Sequence, residues 1–173
     1  MAGNDPKLLG KLILKNSGSV VNELGETILS TDSSGVPTLG YRKENAEVVT
    51  ATNVITANES GKTFFLNSAT EFVSTLPAPA LGLRYKFFVK AAPSGADYTI
   101  VSASGTDNIH GVAVSAADAG GSVDTTAGTA ADTITFVGGQ ALQGDYVELE
   151  CDGTYWYAVG VCSDEDAITF TQT

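Results

Sequence analysis

The chain has 173 residues, 43% of them hydrophobic, with a mean hydropathy of +0.09, so it can bury a core and is not globally disordered. Its net charge of −11 is unevenly placed: residues 1–90 hold all nine Lys and Arg and eight acids (+1), while residues 91–173 hold twelve acids and no base (−12). Such a field repels a phosphate backbone and an anionic membrane, which disfavours both as partners of that half, and neither nucleic acid nor membrane is expected as a partner.

Two cysteines, Cys151 and Cys162, are too few for a disulfide framework, and one histidine with no CxxC leaves no metal-ligand spacing. No secretory signal or ~18-residue apolar run is visible, so synthesis in a cytoplasm is expected. Nineteen Gly among many Thr, Ser, Ala and Val give the composition of short strands joined by turns. The expected fold is mainly β: an antiparallel sandwich, jelly-roll-like, or a barrel, over residues 57–173, preceded by an extended N-terminal arm over residues 1–56.

In the arm, residues 7–15 (KLLGKLILK) permit either a helix, from Lys at four-residue spacing, or a strand. Residues 33–40 are turn-rich and residues 48–55 (VVTATNVI) are β-prone. Large apolar residues are too sparse before residue 57 for an independent core. The anchoring candidates are Lys7, Leu8, Leu9, Lys11, Leu12, Ile13, Leu14 and Lys15, whose lysines can meet an acidic partner. Without interleaved Arg or aromatics they are a weak nucleic-acid signal.

In the body, strands are expected at residues 63–66 (TFFL), 71–76 (EFVSTL), 84–90 (RYKFFVK), 98–102 (YTIVS), 108–114 (NIHGVAV) and 132–137 (DTITFV). Pro77 and Pro79 force an extended turn, and Gly111 marks a bulge or a close contact. Residues 116–131, rich in Gly, Ala, Ser and Thr, read as a long surface loop.

Asp152-Gly153 signals a two-residue hairpin loop. It pairs Cys151 with Thr154, Leu149 with Trp156 and Val147 with Ala158, on a face anchored by Trp156. The opposite face carries Tyr146, Glu148, Glu150, Tyr155 and Tyr157, so Trp156, Leu149, Val147, Tyr155 and Tyr157 are the core and subunit-contact candidates. The same register separates Cys151 from Cys162 by about 26 Å, which excludes a bond between them.

Chemistry is hard to find. His110 has Asp107 and Ser115 nearby, at spacings that are not diagnostic, and no GxSxG, HExxH or GxxxxGK[ST] occurs. The acids Asp164, Glu165 and Asp166 point alternately on an extended chain and cannot converge on one ion. Asp118, Asp124 and Asp132 are too far apart in sequence to define a site, and no carboxylate pair is singled out for glycoside hydrolysis. A non-enzymatic protein with no cofactor and no metal is expected.

Taken in order, residues 61–67 (GKTFFLN), 75–79 (TLPAP), 82–89 (GLRYKFFV), 98–100 (YTI), 144–149 (GDYVEL) and 152–157 (DGTYWY) resemble a module of phage virion proteins, found in capsid decoration proteins, head fibres and tail fibres. The resemblance spans residues 58–160. It implies a homotrimer on the capsid exterior of a virion, anchored by its N-terminal segment to the major capsid protein, with no catalytic residues. The first expectation is therefore a capsid decoration (cement) protein that stabilises the shell. The alternatives are a head- or tail-fibre adhesin holding host polysaccharide through Tyr155 and Tyr157, and a small lectin-like domain.

Overall fold

The computed structural model describes residues 19–21, 27–31, 37–39, 46–103, 108–115 and 125–172. The chain divides into two compact units, Met1–Lys43 and Glu44–Thr173. In the first, β1 (Ser19–Val21), β2 (Thr27–Thr31) and β3 (Pro37–Leu39) form a three-stranded antiparallel sheet. Pro37 opens its strand, a position where its missing N–H is tolerated. The turn-rich reading of residues 33–40 thus gives way to a strand over its second half. The anchoring candidates from Lys7 to Lys15 lie outside the described residues.

The second unit is a mainly β, two-sheet sandwich. Its strands are β4 (Ala46–Val49), β5 (Asn53–Val54), β6 (Thr63–Leu66), β7 (Phe72–Thr75), β8 (Arg84–Val89), β9 (Tyr98–Val101), β10 (Ile109–Ser115), β11 (Thr125–Ala131), β12 (Thr133–Phe136), β13 (Tyr146–Cys151), β14 (Trp156–Cys162) and β15 (Ile168–Thr171). One sheet has seven strands in the order β11-β10-β14-β13-β8-β6-β4, the other five in the order β15-β12-β9-β7-β5. Neither closes into a barrel.

Pairing is mixed rather than antiparallel throughout. From β4 to β9 each strand crosses to the opposite sheet, so the neighbours within a sheet are two strands apart in sequence and run parallel. The chain winds around its core in three coils. From β10 onward hairpins take over, closed by one parallel pair, β10 with β14.

The inward faces of both sheets share one core. Trp156, Tyr98, Phe64, Phe72, Phe87 and Phe136 are its largest fully buried members, all at most 2% exposed. Stacked pairs link strands across the coils, with Phe64 on Phe87 at 5.1 Å and Phe72 on Tyr98 at 4.6 Å. Val49 and Ile55 are buried with them, so residues 46–56 belong to the body and not to an arm. The boundary lies at Lys43/Glu44 instead of residues 56/57, because two apolar side chains placed by long-range pairing suffice to lock β4 and β5 into the sheets.

Residues 125–131, expected within a loop, form edge strand β11 against β10. That strand has few large side chains because Phe170 fills the space over it: a Cβ on Gly128 would collide with the Cβ and ring of Phe170. Gly111 shows both expected features. The β10–β11 register shifts between Ile109 and Gly111, and a Cβ at Gly111 would lie 2.7 Å from the Ala158 carbonyl oxygen.

Candidate functional site

The β13–β14 hairpin sets the geometry of the outer surface. Its register is Cys151 to Trp156, Leu149 to Ala158 and Val147 to Gly160, two residues away from the expected pairing. The cause is the Asp152 carboxylate. Its Oδ1 accepts the N–H groups of Thr154 (2.8 Å) and Tyr155 (2.7 Å), which holds residues 152–155 as a four-residue loop with Gly153 at φ +103°. A shift of two preserves the faces. Trp156, Leu149 and Val147 are buried as expected, while Tyr155 and Tyr157 are 42% and 49% exposed and belong to the outer side, not the core.

Those tyrosines form an aromatic corner with His110. Tyr155 meets the imidazole edge-on at 4.9 Å and Tyr157 stacks at 6.3 Å. The Tyr157 hydroxyl donates to Asp152 Oδ2 at 3.1 Å, which raises the Tyr157 pKa. The two backbone N–H groups, Tyr155 first, hold the Asp152 carboxyl below its usual range. His110 Nδ1 faces the Ala130 N–H at 3.4 Å, a bond that fastens β11. Ser115 lies on the opposite face and about 16 Å along the same strand, so it cannot serve His110 as a nucleophile. Asp107, Asp118 and Asp124 lie outside the described residues.

Other acids hold the frame. Asp145 is buried and accepts from Leu142 N (2.8 Å), Ser163 N (2.9 Å) and Ser163 Oγ (2.8 Å), clipping the start of β13 to the end of β14. Asp132 is buried and accepts from Thr133 Oγ1 at 2.7 Å. Asp164, Glu165 and Asp166 are exposed on the turn into β15. Among the described residues no group of three or more His, Cys, Asp or Glu is arranged to hold a metal ion. Cys151 and Cys162 are free and buried, and burial pushes the Cys162 thiol up, assisted by Asp145.

Glu59 caps a short 3-10 turn, Ala57–Glu59, accepting from Thr56 N at 2.8 Å and pairing with Lys62 at 2.7 Å. Burial opposes its ionisation, but those bonds win and its carboxyl sits below the usual value. Tyr85 donates to the Thr56 carbonyl at 2.9 Å; burial, then the charge of Glu59, pushes its hydroxyl to about 12.

The feature that sequence reading missed is a row across the outer face of the seven-stranded sheet. Val114, Val161, Tyr146, Phe88, Phe65 and Val48 are successive cross-strand partners on six neighbouring strands. Phe65 stacks on Phe88 at 5.9 Å, and Phe88 tilts against Tyr146 at 5.1 Å. Lys86 Nζ lies 4.7 Å from the Phe88 ring and 4.4 Å from the Tyr146 ring, and pairs with Glu148. Two shallow grooves flank the row. One, of about 510 Å³, runs past Val48, Phe65, Phe88 and Lys90. The other, of about 460 Å³, runs past Lys62, Arg84, Lys86, Glu148 and Tyr157.

The signal was present in FF of 63–66, FF of 84–89 and WYAVGVC of 156–162. Apolar neighbours on a strand point both ways, so such runs announce apolar surface on two faces.

Among the described residues no helix is long and apolar enough to cross a membrane. No protein-family model matches the chain, and no curated protein is significantly similar to it.

Proposed function

We propose that this chain is a non-enzymatic structural component of a virus particle, a decoration protein of the phage type that sits in many copies, as trimers, on the capsid exterior. The observation that carries the reading is the segregation of the body surface. In Glu44–Thr173 all four bases line the grooves beside the aromatic row on one sheet face, while the five-stranded sheet turns out threonines and valines. Glu44–Thr173 holds four bases and sixteen acids, a net −12. A surface of that kind suits a body held against protein on one side and projecting into solvent on the others.

In this reading Met1–Lys43 is the anchoring piece, with five of the nine basic residues, and the major capsid protein is its partner. A partner that binds only the assembled lattice stabilises it by mass action, and many copies add avidity. The test mixes undecorated shells with the full-length chain and with a chain lacking residues 1–43. The full-length chain is expected to cosediment in many copies per shell. The shortened chain should keep a cooperative thermal transition and stay in solution. Truncation at residue 56 would be uninformative, since it removes Val49 and Ile55 from the core. Failure of the full-length chain to bind overturns the particle reading; binding by the shortened chain overturns the anchor.

A second reading, a fibre adhesin for host polysaccharide, is favoured by the exposed Tyr155, Tyr157 and His110 corner, where a sugar ring can stack. It requires few copies per particle and glycan binding that Tyr157→Ala abolishes.

A further inference from the structure

We infer that the outer face of the seven-stranded sheet is the surface through which copies of this chain pack against one another; the inference deepens the proposed assembly role and rests on it.

The core does not use this face. Inward rows already bury Trp156, Tyr85, Phe87 and Phe64, and two of the residues on the outward row, Val48 and Val161, remain 45% and 42% exposed. The row crosses five strand spacings, about 24 Å, and the whole face measures about 30 Å by 20 Å in plan. That is the scale of the ~800 Å² of accessible surface that each partner contributes to a stable interface.

The same chain also shows how it builds a sheet face for water. On the outward side of the five-stranded sheet, the matching cross-strand row is Thr169, Thr135, Thr99 and Val73, and the next runs Thr171, Thr133, Val101, Thr75 and Val54. Threonine satisfies strand geometry while carrying a hydroxyl for solvent or a neighbour; of these, Thr133 is buried and gives its hydroxyl to Asp132. Phe65, Phe88 and Tyr146 satisfy the same geometry while presenting rings.

Charge selects the occupant. All four basic residues of Glu44–Thr173, namely Lys62, Arg84, Lys86 and Lys90, line the two grooves of this face. Lys62 pairs with Glu47 and Glu59, Lys86 with Glu148, and Arg84 stands opposite Glu150 in the β8–β13 register. Two bodies of net −12 repel each other, and the outward rows of the five-stranded sheet offer no base to relieve that repulsion. On this face bases and acids are interleaved within each copy, so a second copy can approach and bury the rings against less repulsion than the net charge alone sets up.

The test is the self-association constant of the full-length chain by sedimentation equilibrium, for wild type, Phe88→Thr, Tyr146→Thr and Val161→Lys. The threonine variants copy the wet sheet, and Val161→Lys changes an exposed position, so a folded variant is available even if one of the others fails to fold. Circular dichroism and a thermal transition verify folding. Each substitution is expected to weaken association about thirtyfold or more, the size of an interface hot spot. Folded variants that associate as wild type overturn this surface and leave the particle role standing. A wild type that stays monomeric up to the highest concentration yet binds shells also overturns the inference. An oligomer broken by Phe88→Thr in a chain that binds no shell supports the surface and overturns the particle role.

Discussion

The two outward faces of the sandwich are built on the same strand alternation, and they differ in what they offer water. The five-stranded sheet turns out threonines, and the seven-stranded sheet turns out Val161, Tyr146, Phe88, Phe65 and Val48. Folding accounts for the inward faces of both, and solvation accounts for the threonines. Neither accounts for a ring stack with Lys86 laid over it. In the proposed role, this uncovered apolar surface is where one copy meets another.

The contrast can be broken first from inside. Trp156→Ala should cost about 3–5 kcal/mol by chemical denaturation, since the indole is fully buried against Tyr85 at 5.7 Å. Trp156→Phe should cost far less, because the indole N–H finds no hydrogen-bond partner to lose. An unchanged melting point for the alanine variant would mean that inner and outer faces are exchanged. Gly128→Ala comes next, at about 1–3 kcal/mol of overpacking, because the new methyl would meet Phe170. If it is neutral, β11 is not packed under that ring.

The smallest effect is a pH dependence that leaves both faces intact. Glu59 and Asp152 have folded pKa values below their ordinary 4.5 and 3.8, so both favour the folded state when ionised. That contribution is present above about pH 4.5 and is lost as pH falls through the folded values. Tyr157→Phe should move the Asp152 titration back toward its ordinary value, read by carboxyl NMR. An unmoved titration would show that the hydroxyl is not bonded there.

Strand positions were legible because branched and aromatic residues alternate in short runs between turn signals. TFFL, RYKFFVK, YTIVS and DTITFV all became strands. Strand direction was not legible. Alternation tells which side a residue faces, but the crossing of β4 through β9 from sheet to sheet is decided by the shared core, and it makes neighbours parallel. The loop reading of residues 116–131 failed over β11 because burial there is supplied by Phe170 from another strand. The hairpin face survived a wrong register because the Asp152 carboxylate lengthened the loop by two residues, an even number. The aromatic corner was half visible: Tyr155 and Tyr157 stood out beside the turn, while His110 joined them only through the parallel pairing of β10 with β14. The outer row was spread over six segments of the chain, from Val48 to Val161, and only register assembles it.

The most direct measurement is the native mass of the full-length chain by light scattering across a dilution series. A mass that is a multiple of 17.8 kDa and falls on dilution is expected if the ringed face joins copies. A mass of 17.8 kDa at every concentration would contradict it, and the exposed row would then need another partner.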